Sequence, residues 1–349
     1  MNRRDLLKTG LAAGAAMLMP AKMAVAQEFN EVQAVIKPQL NLERARHLRR
    51  LIRQRGEDLL RQQLTGDDGS VAFDPLAYGE DGIEELEEEP AAEAVGLNLW
   101  FDGASTWLED SHPVRGYEGT QYVLSLGGDR QVTERLVLGA IGVHAGSDVD
   151  DIFLPGGSST RGWGLGPYAA VFLTDTIVLT ASAVHTWTDN SLASGGVTAG
   201  YDSRDWTLNA NVTSYHFAGD WQFAPTAGIS YTVEQEDGYV DSSASAYAAS
   251  TTRTGGVVFG ARISYAHALE NGMTVEPSLE GEAEWIFERA TTATSSVPPD
   301  GSDFDASVTA GIDLQVNDAT SLSLTGSIGG LFKPDYLSAG GSARLSVSY

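Results

Sequence analysis

The chain has 349 residues, no cysteine, 39 glycines, 20% charged residues and a formal net charge of −25. That charge excludes nucleic acid as a partner, because neutralising phosphates needs a basic surface. The missing cysteines exclude disulfides, thiol nucleophiles and thiolate metal sites. Outside the N-terminus no run of about 20 apolar residues is present to cross a membrane as a helix.

Residues 1–26 read as an export signal. Arg3, Arg4 and Lys8 form a charged start, Leu11 to Met19 a mildly apolar centre, and Ala24-Val25-Ala26 a small-residue cleavage site before Gln27. The run Arg3-Arg4-Asp5-Leu6-Leu7-Lys8 is similar to a twin-arginine signal. The twin-arginine route carries folded cargo, whereas a barrel folds after crossing, so the route stays open between the two export systems.

Residues 27–64 form a basic helical segment. Leu40, Leu48, Leu51, Ile52, Leu59, Leu60 and Leu64 recur at three- and four-residue spacings, with Gly66 just beyond. The polar face carries Arg44, Arg46, Arg49, Arg50, Arg53, Arg55 and Arg61. Counting 37–64, eight Lys/Arg against three Asp/Glu leave +5. Residues 65–94 invert the sign, with eleven Asp/Glu and no base, and read as a solvated acidic linker.

From residue 95 onward the pattern is all-β. Twelve amphipathic segments are predicted at 95–107, 119–129, 133–146, 160–174, 176–189, 203–217, 220–236, 253–266, 272–288, 302–316, 319–331 and 336–349. Connections at 108–118, 147–159, 190–202, 237–252 and 289–301 are long, and those between them are tight. The last connection, around Lys333-Pro334-Asp335, is the short exception. In the ninth segment Met273, Val275, Leu279, Ala283, Trp285 and Phe287 share one face, and Glu276, Glu280, Glu282 and Glu284 the other. Alternating loop lengths, long strands and export together predict a closed antiparallel transmembrane barrel, with lipid outside and a polar lumen. Trp107, Trp187, Trp206, Trp221, Trp285 and Phe287 fall near strand ends, as interfacial girdles do. Pro167, Pro225 and Pro277 interrupt strands and each removes a ladder hydrogen bond.

The barrel resembles the translocator domain of autotransporters, the type V secretion family. The resemblance lies in Gly116-Tyr117-Glu118-Gly119 leading into Tyr122 to Asp129, in Leu138 to Val143, in Ala224 to Tyr231 and in Val275-Glu276-Pro277. It implies a twelve-stranded barrel with a helix threaded through its lumen. It also implies insertion by the barrel-assembly machinery, which reads the last strand; here Leu345, Val347 and Tyr349 stand in that position. Upstream, residues 27–94 carry no β-helix repeats and no protease or adhesin motif, so the passenger region is short or vestigial.

Charge links the two parts. Residues 95–349 hold ten Lys/Arg and thirty Asp/Glu, or −20. Asp102, Glu276, Glu280, Glu282 and Glu284 are the candidate lumen acids, and Arg44, Arg46, Arg49, Arg50 and Arg53 the candidate plug residues. Low dielectric would strengthen such Arg–carboxylate contacts. The helix has two other possible placements, in the periplasm or on a membrane surface.

His112, His144, His185, His216 and His267 sit near strand ends or loops without a nucleophile or metal-ligand signature. Asp148, Asp150 and Asp151 lack the full spacing of a calcium loop. The expectation is therefore a non-enzymatic, monomeric barrel without metal or cofactor, in the outer membrane of a Gram-negative bacterium. It contacts membrane lipid and lipopolysaccharide and anchors or displays a short N-terminal segment. The alternative is a porin-like channel whose acidic lumen prefers cations.

Overall fold

The computed structural model describes residues 21–64, 97–112, 116–152, 156–292, 303–317 and 319–349; within the first stretch, side chains are described from 36 to 60. The first strands in chain order are β1 (Asn98–Asp110), β2 (Tyr117–Thr133), β3 (Leu136–Asp151), β4 (Gly156–Thr174), β5 (Ile177–Ser194) and β6 (Val197–Ser214). The short β7 (His216–Ala218) precedes β8 (Trp221–Glu236), and the short pair β9 (Tyr239–Val240) and β10 (Ala246–Tyr247) precedes β11 (Ser250–Tyr265). After the short β12 (His267–Ala268) come β13 (Thr274–Thr291), β14 (Phe304–Asn317), β15 (Thr320–Gly329) and β16 (Tyr336–Ser348).

The twelve long strands form a closed antiparallel ring. Each neighbour in sequence pairs with the next, β8 pairs with β11, and β1 closes on β16 from Asn98↔Ser348 to Asp110↔Tyr336. The alternation places side chains inside out relative to a water-soluble protein. In β14, Phe304, Val308 and Ile312 are exposed while Asp305 is fully buried. Leu126, Trp163 and Leu165 are more than 60% exposed. Only lipid outside and a polar interior make that arrangement stable. Trp107, Trp187, Trp206, Trp221, Trp285 and Phe287 all lie on the exposed face.

The long-loop side departs from the sequence reading. The predicted connection 190–202 is not a loop: β5 and β6 run on to a two-residue turn at Gly195-Gly196, whose φ values are 56° and 82°. Both residues need the left-handed region, which glycine enters without a Cβ clash. The Ser, Thr, Ala and Gly around it read as loop, yet a ladder continues above the membrane once two strands are already aligned. Likewise β3 reaches Asp151 and β4 begins at Gly156, while the predicted loop 237–252 contains the β9–β10 hairpin.

Each of the three prolines interrupts one of its two ladders, while the pairing on its other side runs through it. The β4–β5 pairing skips from Leu165↔His185 to Tyr168↔Ser182 around Pro167. The β6–β8 ladder ends at Thr226, next to Pro225, and the β11–β13 ladder ends at Ser278, next to Pro277.

Gly127 is required by packing. A Cβ at Gly127 would overlap the indole of Trp100, which lies across it inside the barrel. Changing Gly127→Val is expected to lower stability by about 1–3 kcal/mol through overpacking. The unfolding midpoint in urea checks this; an unchanged midpoint would show that Trp100 can move aside.

Candidate functional site, the helix-filled lumen

Residues 36–60 of the helix α1 (Ala21–Leu64) lie inside this ring. Every described side chain from 36 to 60 is buried or half-buried, the charged ones included. A helix so rich in arginine can be covered on all sides only if its surroundings are matched to it residue by residue.

The match is two-sided. The apolar face of α1, Leu48, Leu51 and Ile52, packs on Trp100, Val123, Ile141, Val143, Tyr168 and Val184. Full burial of each such leucine contributes about 1.5–3 kcal/mol. The sequence reading assigned a polar lumen and missed this apolar wall. A signal was present in Leu136 to Val143, where both faces of one strand are apolar, as in a strand covered on both sides. Gly56 brings α1 close to the wall, since a Cβ there would meet Thr180 Cγ2 at 2.8 Å.

The opposite wall is acidic. Arg46 Nε donates to Glu284 at 2.6 Å and Arg46 Nη2 to Asp305 at 2.7 Å. Glu282 receives Arg49, Arg50 and Arg53 at 3.7, 3.5 and 3.3 Å. Arg53 also pairs with Glu280. Arg44 meets Asp205 at 2.9 Å, and Lys37 meets Glu234 at 2.9 Å and also Glu236.

The two ladders are commensurate. From Arg46 to Arg53 the helix rises about 10.5 Å at 1.5 Å per residue. From Glu284 to Glu280 a strand tilted about 40° advances about 10 Å along the barrel axis. Helix arginines three or four residues apart therefore meet strand carboxylates two residues apart, with α1 running opposite to β13.

The predicted lumen acids do not all serve alike. Glu280, Glu282 and Glu284 line this ladder, whereas Glu276 lies 3.5 Å from Arg262, which also pairs with Glu57 of the helix. Asp102 meets His47 Nε2 at 2.9 Å, a histidine that sequence reasoning left out. It also left out Asp129. That carboxylate accepts both prongs of the Arg55 guanidinium at 2.7 Å and the Tyr168 hydroxyl at 2.5 Å, and Trp100 Nε1 donates to Tyr168 at 2.8 Å. Asp58 in turn holds Arg344 at 2.9 Å. Nothing local marks these partners, because each pair is separated by tens to hundreds of residues.

Orientation follows from the end clusters. Leu59 and Leu60 pack with Val137, Phe172, Val178 and Tyr215 at the short-turn end. Ile36 and Leu40 pack with Leu108, Tyr117, Val149 and Tyr336 at the long-loop end. The N-terminal part of α1 thus points to the mouth where barrels of this kind face the outside.

Above that mouth the β9–β10 hairpin docks on the β5–β6 extension. Tyr201, Tyr239 and Tyr247 stack in series with centroids 4.7 and 4.6 Å apart. Burial acts to raise the Asp241 carboxyl, but hydrogen bonds from Ser245, Ser243 and Tyr247 outweigh it and hold the group below its ordinary value. Burial and the bond to Asp241 push the Tyr247 phenol up to about 12.

The histidines near strand ends face outward or lie at edges. His144 stacks on Trp163 at 4.1 Å, His185 lies between Trp187 and Trp206, and His216 contacts Ser214 Oγ at 3.0 Å. Among the described residues no group of three or more His, Asp or Glu is placed to hold a metal ion. Leu345 and Tyr349 are exposed on the outward face of the last strand, with Val347 half-exposed between them.

A model of the autotransporter beta-domain matches residues 99–327, most of the chain. The chain belongs to the autotransporter β-domain family. Residues 1–20 match the signal sequence of the twin-arginine translocation pathway. Three solved autotransporter domains share the fold. The translocator domain of NalP from Neisseria meningitidis is 12% identical at TM-score 0.60, over 74% of this chain and 90% of that one. The β-domain of the Bordetella autotransporter BrkA is 19% identical at TM-score 0.58, over 73% and 100%. The transport unit of AIDA-I from Escherichia coli is 12% identical at TM-score 0.57, over 78% and 94%. No curated protein matches the chain. This autotransporter β-domain is an outer-membrane barrel of a Gram-negative bacterium and belongs to type V secretion. Autotransporter translocator domains are generally non-enzymatic.

Proposed function

We propose that this autotransporter barrel is a plugged anchor: residues 36–60 of α1 stay in the lumen of the mature protein and only the part of the chain before Ile36 is displayed at the cell surface. The observation that carries the reading is the Arg–carboxylate ladder between α1 and β13, which holds a fully basic helix face against buried acids. With cleavage after Ala26, residues 27–35 lie between the signal and the first described lumenal side chain, so what is displayed is short. The barrel performs no catalysis, binds no cofactor and works as a monomer. Leu345, Val347 and Tyr349 are the side chains through which the assembly machinery recognises it.

Two epitopes test this. One placed after Gln27 is expected to be cut by protease added to intact cells. One at Gly69, beyond the C-terminal end of α1, is expected to be protected until the outer membrane is breached. Surface cleavage at Gly69 would reverse the proposed direction of threading and end the reading.

The second reading, a cation-preferring pore, draws support from the same wall. Without α1, Glu280, Glu282, Glu284, Asp305, Asp205 and Asp129 would line an open lumen. Conductance with the helix in place separates the two, since a plugged anchor carries no steady current.

A further inference from the structure

Lys37, near the outward end of α1, touches the base of the hairpin at 237–249. Its ammonium meets Glu234 and Glu236, the last acidic residues of β8, and sits 4.7 Å above the ring of Tyr201. Glu236 closes the base of the hairpin: it is the register partner of Ser250, whose hydroxyl donates to it at 2.6 Å. Tyr201 is the first ring of the stack that continues through Tyr239 to Tyr247 on the hairpin itself. Around the stack, Leu192, Val197 and Ala199 of the β5–β6 extension complete a small apolar core outside the membrane. Backbone bonds add to it, Ser242 N to Thr198 O and Asp237 N to Asp202 O, both 2.9 Å.

We propose that the hairpin 237–249 is a lid over the lumen, latched by Lys37 and therefore sensitive to whether α1 is in place. The inference rests on the reading that α1 occupies the lumen of the mature protein. When the helix is seated, its ammonium neutralises two buried carboxylates at the hairpin's base and presents a cation to the face of the first tyrosine. When it is absent, Glu234 and Glu236 repel one another, the base splays, and the stack loses its bottom ring. Linkage makes the effect mutual: what the seated helix adds to lid closure, the closed lid adds to helix retention.

Hydrogen exchange on the full-length protein in detergent tests the first half. With Lys37→Met, the amides of 241–245 are expected to exchange about tenfold faster or more, as a local opening becomes cheaper. Arg130→Met, at an exposed position near the short-turn end of β2, leaves them unchanged. The second half uses the absence of native cysteine. Ser147 is buried in the wall of a polar cleft shared with Asn41 and Arg44, so Ser147→Cys supplies a single thiol shielded by the helix. Adding Tyr239→Ala and Tyr247→Ala, both outside the membrane, is expected to speed its labelling from outside. These variants carry the test even if Lys37→Met fails to fold. Unchanged exchange in Lys37→Met, or unchanged labelling in the tyrosine pair, would mean that β6 alone holds the hairpin, and the latch would be rejected. Labelling of Ser147→Cys at the rate of a free thiol, with no other change, would instead show an unoccupied lumen. That result would remove the plug reading and the latch together.

Discussion

Changing Glu282→Lys is expected to drive α1 out of the lumen and convert a closed barrel into a conducting one. Glu282 receives three guanidinium groups, those of Arg49, Arg50 and Arg53, within 3.7 Å. Arg49 is 2% exposed and has no water to turn to. Removing one partner of a buried ion pair costs about 3–5 kcal/mol, and a lysine here replaces attraction by repulsion as well. At about 1.4 kcal/mol per tenfold, the ratio of seated to unseated helix falls by a hundredfold or more. Single-channel recording in planar bilayers reads the result: brief or absent openings for the unaltered protein, steady cation-preferring current for the variant. Adding Arg50→Glu to the variant, at the arginine that faces Glu282 at 3.5 Å, restores an attractive pair at that rung and is expected to reduce the current. A variant that stays closed would show that the apolar wall alone retains the helix.

Asp129→Ala is expected to loosen the inward end of α1 while leaving the ladder above it in place. Asp129 accepts a two-pronged contact from Arg55 and a hydrogen bond from Tyr168, and all three side chains are buried. Truncation strands a guanidinium and a phenol together, at a cost of about 3–5 kcal/mol. Asp129→Asn keeps one neutral acceptor and should cost less, on the order of 1–3 kcal/mol. Urea unfolding followed by tryptophan fluorescence checks both, with Trp100, bonded to Tyr168, as the local reporter. Equal midpoints for the two variants would show that the retained shape and neutral acceptor contribute nothing and that the whole loss comes from the negative charge.

Much of this architecture was legible before any coordinates. Period-two alternation marks Phe304 to Gln315 as a strand with one face for lipid, and it separates Glu276, Glu280, Glu282 and Glu284 from Val275, Leu279 and Trp285 without reference to anything distant. The basic helix was equally visible from its leucine spacing. The extension of β5 and β6 was not, because Ser, Thr and Gly serve a water-exposed ladder as readily as a loop, and neighbouring strands decide between them. The lumenal face of β3 misled for the opposite reason: Val137, Ile141 and Val143 are apolar on the side where a polar lumen was expected, and only the leucines of α1 explain them.

The sequence by itself determined the membrane, the strand count, the outward face and the opposed charges of helix and barrel. All are local or additive properties, readable from alternation and composition. Tertiary structure alone decided that α1 enters the lumen with its N-terminal part toward the long loops, that Arg46 meets Glu284 and Asp305, and that Arg55 meets Asp129. Such pairings depend on the axial offset and rotation of a helix inside a closed ring. Coulomb attraction between two oppositely charged segments is satisfied by many registers, and the choice among them belongs to packing: the leucines against Val123, Ile141 and Val184 on one side, and the close approach at Gly56.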